Sequence, residues 1–195
     1  NLPEGFDHQE IYKEFVTITL HGQSKDALAK TKKGAWKYDV VVPGYKCNMT
    51  DIQAAIGLVE LDRYAENLAR RKEIFDAYDT TFSKKKWALL PPHKNSKKTS
   101  SHHLYLLRIK DITEEQRDDI IQEISNQNVS VNVHFQPLPL LTAYKNLGYK
   151  IEEFPIAHHK YQTEISLPVY YNLDNSQVRQ VMDAVISSVE KIINR

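Results

Sequence analysis

Apolar residues recur along this chain with two different periods. From Thr50 onward, Ile52, Ala55, Ile56 and Val59 fall on one side of a 3.6-residue repeat, and Tyr64, Leu68, Phe75 and Phe82 continue the apolar character. This pattern predicts a helix of about thirty residues, spanning about 45 Å at ~1.5 Å per residue, either joining two lobes or broken midway. Near the end of the chain Val178, Val181, Met182, Val185, Ile186, Val189, Ile192 and Ile193 repeat as in a helix packed on a sheet. Ile120, Ile121 and Ile124 mark a further helix over Thr113–Gln127. A two-residue period governs Val129–Phe135. There Val131, Val133 and Phe135 share one face and Asn132 and His134 the other, which predicts a half-buried strand. His103–Ile109 and Glu164–Leu167, the latter stopped by Pro168, are the other strand candidates.

Helix starts are marked by capping boxes, in which a side-chain oxygen and a Glu or Gln three residues on satisfy two free backbone N–H groups. The pairs are Asp7 with Glu10, Thr50 with Gln53, Thr113 with Gln116, and Asp174 with Gln177. Lys84–Ser101 is polar, holds Pro91 and Pro92, and reads as a surface loop. Pro137-Leu-Pro139 reads as a turn into a short helix near Leu141–Leu147, ended by Gly148. Strands separated by helices after about residue 100 predict an α/β or α+β small domain. The first eighty or so residues offer too little strand for a sheet, so residues 1–82 read as the remnant of a larger domain and 83–195 as the small one.

Composition narrows the function classes. In 195 residues, 26 basic side chains stand against 25 acidic ones, so a polyanion is not expected as the main partner. The lysines between Lys84 and Lys98 lack interleaved aromatics and read as a solvated face, not a nucleic-acid site. Cys47 is the single cysteine, which excludes an internal disulfide and suits a reducing, cytoplasmic setting. No apolar run approaches the roughly 18 residues of a membrane span. The start, Asn-Leu-Pro-Glu-Gly, resembles neither a signal peptide nor an initiator methionine, so the chain is expected to come from the middle of a longer protein. His102-His103 and His158-His159 have no Cys or carboxylate cluster to complete a ligand set, so no metal is expected.

The most informative stretch is Pro43-Gly-Tyr-Lys-Cys-Asn-Met-Thr-Asp-Ile-Gln-Ala-Ala-Ile-Gly-Leu58. Small and polar residues feed a well-capped helix. Lys46 and Asn48 stand two apart just before the helix start. An ammonium, an amide and the partial positive charge of a helix N-terminus together suit an anion such as phosphate. From the residues alone, a solvated Lys46 and a turn-forming Asn48 are the commoner arrangement, since such loops are frequent.

This stretch is similar to the signature of the DegT–DnrJ–StrS family of sugar-nucleotide aminotransferases, whose usual form is Gly-Tyr-Asn-x-Arg-Met-Thr-Asp-Ile-Gln-Ala-Ala. Collinear matches follow at Asn1-Leu2, Leu20-His-Gly-Gln-Ser-Lys-Asp-Ala27, Ala69-Arg-Arg-Lys-Glu-Ile74, His103-Leu-Tyr105, Val133-His-Phe135, Pro137-Leu-Pro139, Ala143-Tyr-Lys145 and Ile165-Ser-Leu-Pro168. The resemblance implies the C-terminal part of a fold-type I transferase, α/β in class. It further implies a homodimer with shared active sites, pyridoxal 5'-phosphate as cofactor, and a sugar nucleotide and glutamate as substrates. In such enzymes the loop before the long helix reaches the cofactor phosphate of the neighbouring subunit. Lys46 and Asn48 occupy the matching positions and are the cofactor-binding candidates. Lys-x-Asn in place of Asn-x-Arg keeps a cation but gives up the bidentate fork of arginine. Tyr45 and His134 are the substrate-binding candidates by the same resemblance; from the residues alone, a satisfied interior or surface histidine at 134 is equally open. Pro139 stands where relatives often carry a histidine.

The resemblance also places the Schiff-base lysine immediately before Asn1, so no catalytic residue is assigned and the chain alone is expected to be inactive. Glu4-Gly5 runs directly into Phe6-Asp7-His8, where the family usually has a further strand, so either a strand is deleted or further residues belong between Gly5 and Phe6. Two alternatives stay open at this point: a sugar dehydratase of the same family, with histidine for the lysine, and a non-catalytic module that dimerises or binds a sugar nucleotide.

Overall fold

The fold is taken from a computed structural model, which describes residues 5–24, 39–47, 49–95 and 97–194. The chain forms two compact units, Asn1–Asp62 and Arg63–Arg195.

In the first unit, the Asp7 side chain accepts the Gln9 and Glu10 N–H groups and starts α1, His8–Thr19. The next helix of the described residues, α2, spans Asp51–Asp62. Thr50 and Gln53 cap it reciprocally, at 3.0 Å and 3.3 Å. Its apolar residues point outward: Ile52 is 76% and Ile56 61% exposed. Residues 1–4 and 25–38, together with Asn48, lie outside the described residues. The matches at Asn1-Leu2 and Lys25-Asp-Ala27 fall among them.

The second unit begins with α3, Tyr64–Phe82. The long helix expected from Thr50 is therefore divided at Arg63, a turn residue. By packing, α3 belongs with the strands and helices C-terminal to it. The division of the chain falls between Asp62 and Arg63, whereas the sequence pattern suggested residues 82 and 83. Strands β1 (Ala88–Leu89), β4 (Tyr105–Ile109) and β5 (Glu164–Leu167) form an antiparallel sheet in the order β1-β4-β5. Between β1 and β4, strands β2 (Lys94–Asn95) and β3 (Lys98–Thr99) pair as a small hairpin. The polar stretch read as a loop thus contributes three short strands. Their shortness and lysine content hid them from a reading based on alternation.

Helix α4, Glu114–Ser125, starts at the expected box, with Thr113 and Gln116 bonded in both directions. Two 3₁₀ turns, Leu138–Leu140 and Ile151–Glu153, flank the short α5, Thr142–Lys145, and α6, Pro155–Thr163, leads directly into β5. The final helix, α7, covers Asn175–Ile193 behind the Asp174–Gln177 box. Thr113→Ala should cost about 1 kcal/mol, the usual worth of an N-cap side chain. A lowered urea midpoint at unchanged slope would show it.

The core lies on one face of the sheet. Strand alternation sends Tyr105, Leu107 and Ile109 inward, joined by their cross-strand neighbours Ile165 and Leu167. Against them pack Ile74, Phe75 and Tyr78 of α3, Ile120 and Ile124 of α4, and Val181, Val185 and Val189 of α7. Phe75 sits at the centre of an edge-to-face cluster, 4.7 Å from His93, 4.8 Å from His102 and 5.0 Å from Tyr105. Two phenol tips in this core are satisfied, whereas Trp87 Nε1 and His102 Nδ1 are buried with no hydrogen-bond partner among the described residues. The Tyr105 hydroxyl donates to Asp79 at 2.7 Å and the Tyr78 hydroxyl to the Pro168 carbonyl at 2.9 Å. Burial pushes both phenols up, so they remain donors.

The half-buried strand expected at Val129–Phe135 does not form. Only Asn132 bridges to β5, exchanging two backbone bonds with Ser166 at 3.2 Å and 2.7 Å. The His134 N–H, the next that an antiparallel ladder to β5 would use, donates instead to Glu164 Oε2, and the Val133 N–H donates to Asn132 Oδ1. Alternation was therefore a poor guide to faces here, and Phe135 is 74% exposed.

Candidate functional site

In the first unit, the loop that carries Tyr45 and Lys46 is held by the end of α1. The last carbonyls of a helix have no partner within it. Here the Tyr45 N–H donates to the Ile18 carbonyl at 2.7 Å, and the Cys47 N–H to the Thr19 carbonyl at 3.0 Å. His21 N–H returns a bond to the Tyr45 carbonyl at 2.9 Å, and Lys46 bridges to Leu20.

Two glycines make this approach possible. A Cβ on Gly44 would meet Gly22 N at 2.4 Å and the Ile18 carbonyl oxygen at 2.6 Å. Gly22 has φ +73°, and a Cβ on it would lie 1.6 Å from the Val42 carbonyl oxygen. The backbone is thus fixed while the side chains of Tyr45 and Lys46 are exposed. A cation held outward on an anchored loop matches the chemistry of a phosphate contact. Asn48, the second cofactor-binding candidate, lies outside the described residues.

His134 lies in the second unit, in a cavity of about 480 Å³. Alternation builds its floor. Of the four residues of β4 and β5 that do not face the core, Leu106, Arg108 and Glu164 line it and Ser166 does not. Lys160 and Tyr161 of α6 and the exposed Phe135 form other walls. His134 Nδ1 is buried and has no hydrogen-bond partner among the described residues.

Glu164 is 5% exposed. One carboxylate oxygen accepts the His134 N–H at 3.2 Å and the other the Ser166 hydroxyl at 2.5 Å. Burial pushes its carboxyl above the usual range; the Ser166 hydroxyl, the His134 N–H, and the charges of His134 and Arg117 oppose that shift. Arg117 is itself buried, stacked 4.7 Å over the Tyr161 ring and donating to the Tyr161 carbonyl at 2.7 Å. It thereby ties α4 to the turn that sets up β5.

Tyr45 and Lys46 thus share one loop, and His134 belongs to a cavity of the other unit. Sequence reasoning missed Glu164, Arg108 and Lys160. The available signal was the alternation Glu164-Ile-Ser-Leu167, which puts an acid and a hydroxyl together on the face away from the core. Among the described residues no group of three or more His, Cys, Asp or Glu is placed to hold a metal, and no helix is long and apolar enough to cross a membrane.

Comparison with known proteins gives these features a context. Residues 6–186 match the model of the DegT/DnrJ/EryC1/StrS aminotransferase family. The fold superposes on a putative sugar aminotransferase from Streptococcus pneumoniae, PMP-form, with a TM-score of 0.85 and 45% identity, covering 98% of this chain and 48% of that one. The chain is 34% identical to the spore coat polysaccharide biosynthesis protein SpsC of Bacillus subtilis, over 92% of its own length and 47% of the relative's. It is 27% identical to a UDP-4-amino-4,6-dideoxy-N-acetyl-beta-L-altrosamine transaminase of Campylobacter jejuni, over 95% of its own length and 47% of the relative's. The chain therefore spans about half the length of the curated relatives it matches, and the expected α/β class agrees with the observed fold.

Proposed function

The chain belongs to the DegT/DnrJ/EryC1/StrS aminotransferase family, and we propose on that premise that it serves a pyridoxal-phosphate-dependent transfer of an amino group from glutamate to a keto-sugar nucleotide. The product is an amino sugar for a surface polysaccharide or a related glycan. The working form is a cytoplasmic homodimer with shared sites.

The observation that carries this reading is the loop of Tyr45 and Lys46. Its backbone is locked to α1 and its side chains are exposed. Lys46, with Asn48 by sequence match, would hold the cofactor phosphate of the partner subunit, and Tyr45 would contact the substrate. When bound, the cofactor supplies the carbonyl group and electron-accepting ring that amino transfer needs. The outward apolar residues of α2, among them Ile52, Ile56 and Val59, support a face covered by further protein. In the second unit, His134 reaches the sugar nucleotide in a cavity whose walls include Arg108 and Lys160, cations suited to a diphosphate.

Lys46→Ala in the full-length enzyme should weaken cofactor affinity roughly tenfold or more, the scale of one hydrogen bond to a charged group. Lys46→Arg should restore most of it. Titrating the apoenzyme with pyridoxal phosphate reads the effect. An unchanged dissociation constant in Lys46→Ala removes this residue from the phosphate site.

A further inference from the structure

Carboxylates are costly to bury, and those kept inside proteins usually have an ion-pair partner. Glu164 is buried and makes no ion pair among the described residues. Arg117, the nearest buried cation, spends its guanidinium on Asp118, Glu114 and the Tyr161 carbonyl. Both oxygens of Glu164 are nonetheless used, one on the Ser166 hydroxyl and one on the backbone of His134. The His134 segment has no ladder to hold it beyond the single bridge at Asn132, two residues earlier. The main-chain position of His134 is therefore set by Asn132 on one side and by Glu164 beneath it. Past His134 comes the exposed Phe135, and the next backbone hydrogen bond is the turn bond from Leu140 N–H to the Pro137 carbonyl.

We propose that Glu164 is a positioning residue. Its carboxylate, anchored by Ser166, clamps the His134 N–H and so keeps the imidazole aimed into the cavity lined by Arg108, Lys160 and Phe135. This inference rests on the reading of His134 as substrate-binding. The clamp needs an acceptor, not a charge. A glutamine fits the same space, its carbonyl accepting the His134 N–H and its amide donating to the Ser166 oxygen. An alanine leaves the His134 N–H without a partner and the loop without its second anchor. An aspartate, one methylene shorter, does not reach both groups.

The test uses the full-length holoenzyme, with UDP and dTDP each titrated alone by calorimetry as probes of the nucleotide-sugar site. Glu164→Ala should weaken the tighter of the two roughly tenfold, while Glu164→Gln stays within about threefold of the unsubstituted enzyme. In a His134→Ala background the Glu164→Ala change should add nothing, since the group it positions is gone. Should Glu164→Ala fail to fold, Glu164→Asp carries the same expectation of weakened binding. Full affinity in Glu164→Ala or Glu164→Asp, alongside a weakened His134→Ala, overturns the clamp and leaves the substrate-binding reading standing. Equal losses in Glu164→Gln and Glu164→Ala also overturn it, because charge and not geometry is then what matters. Unchanged binding in His134→Ala, or no binding of either nucleotide by the unsubstituted enzyme, defeats the reading of His134 and the clamp with it.

Discussion

Gly44→Ala should release the loop of Tyr45 and Lys46 from α1. The added methyl carbon would sit 2.4 Å from Gly22 N, 2.6 Å from the Ile18 carbonyl oxygen and 2.8 Å from the His21 carbonyl carbon. All three are main-chain atoms, so no flexible side chain can move aside. The clash resolves only by separating the two backbones, which breaks the bonds from Tyr45 and Cys47 to the end of α1. Overpacking of this kind typically costs about 1–3 kcal/mol, and each main-chain hydrogen bond lost adds about 0.5–1.5 kcal/mol. Gly22→Ala should be at least as severe, because a positive φ is strained for any side chain as well. Gly57 is the control. It lies inside α2, a Cβ there meets nothing within 4 Å, and Gly57→Ala should stabilise by roughly 0.5–1 kcal/mol through helix propensity. Amide hydrogen exchange at Tyr45 and Cys47 in the full-length protein distinguishes the cases. Fast exchange in Gly44→Ala and slow exchange in Gly57→Ala is the expected pattern. Retained protection in Gly44→Ala would show that the approach of the two glycines is not what holds the loop.

Phe75→Ala should be the most damaging single truncation in the second unit, at about 3–5 kcal/mol. Phe75 is 1% exposed, and three rings meet it edge-on. Its loss leaves a cavity between α3, the hairpin segment and β4, where Tyr105 and His93 are already fixed through Asp79 and are poorly free to collapse inward. Phe75→Leu should fall between the two. A large drop in denaturant midpoint with an unchanged slope is expected. A loss below about 1 kcal/mol, the centre of the range for point substitutions, would mean that the ring cluster repacks.

Much of the second unit was legible in the sequence, because its elements announce themselves through local chemistry. Thr113 and Asp174 cap helices whose apolar stripes face one sheet, and β5 ends at Pro168 as proline requires. What escaped was set by contacts distant in sequence. Strand β1 has two residues and exists because Ala88 and Leu89 meet Ile109 and Arg108. The alternation in Val129–Phe135 suggested a strand, but the Glu164 side chain took the His134 N–H that a ladder would have used. Arg63 divides the long helix with no breaker residue to mark it. The candidate site divides in the same way. The loop motif flagged Lys46 from local residues and helix position, whereas the role of Glu164 depends on a bond spanning 30 residues. The close approach of Gly22 and Gly44 was likewise invisible, since two glycines in separate motifs carry no mark of contact.

The small sheet also bears on solubility. A strand edge with unpaired N–H and C=O groups is a template on which a second chain can grow. On one side the outermost strand is only Ala88–Leu89 and is followed closely by Pro91-Pro92, which cannot donate to a newcomer. On the other, Asn132 occupies the middle of the free edge at Ser166, leaving no run long enough to zip. Neither border therefore offers a foothold for fibril-like stacking, and this sheet is guarded against that route to aggregation by a pair of prolines and one asparagine.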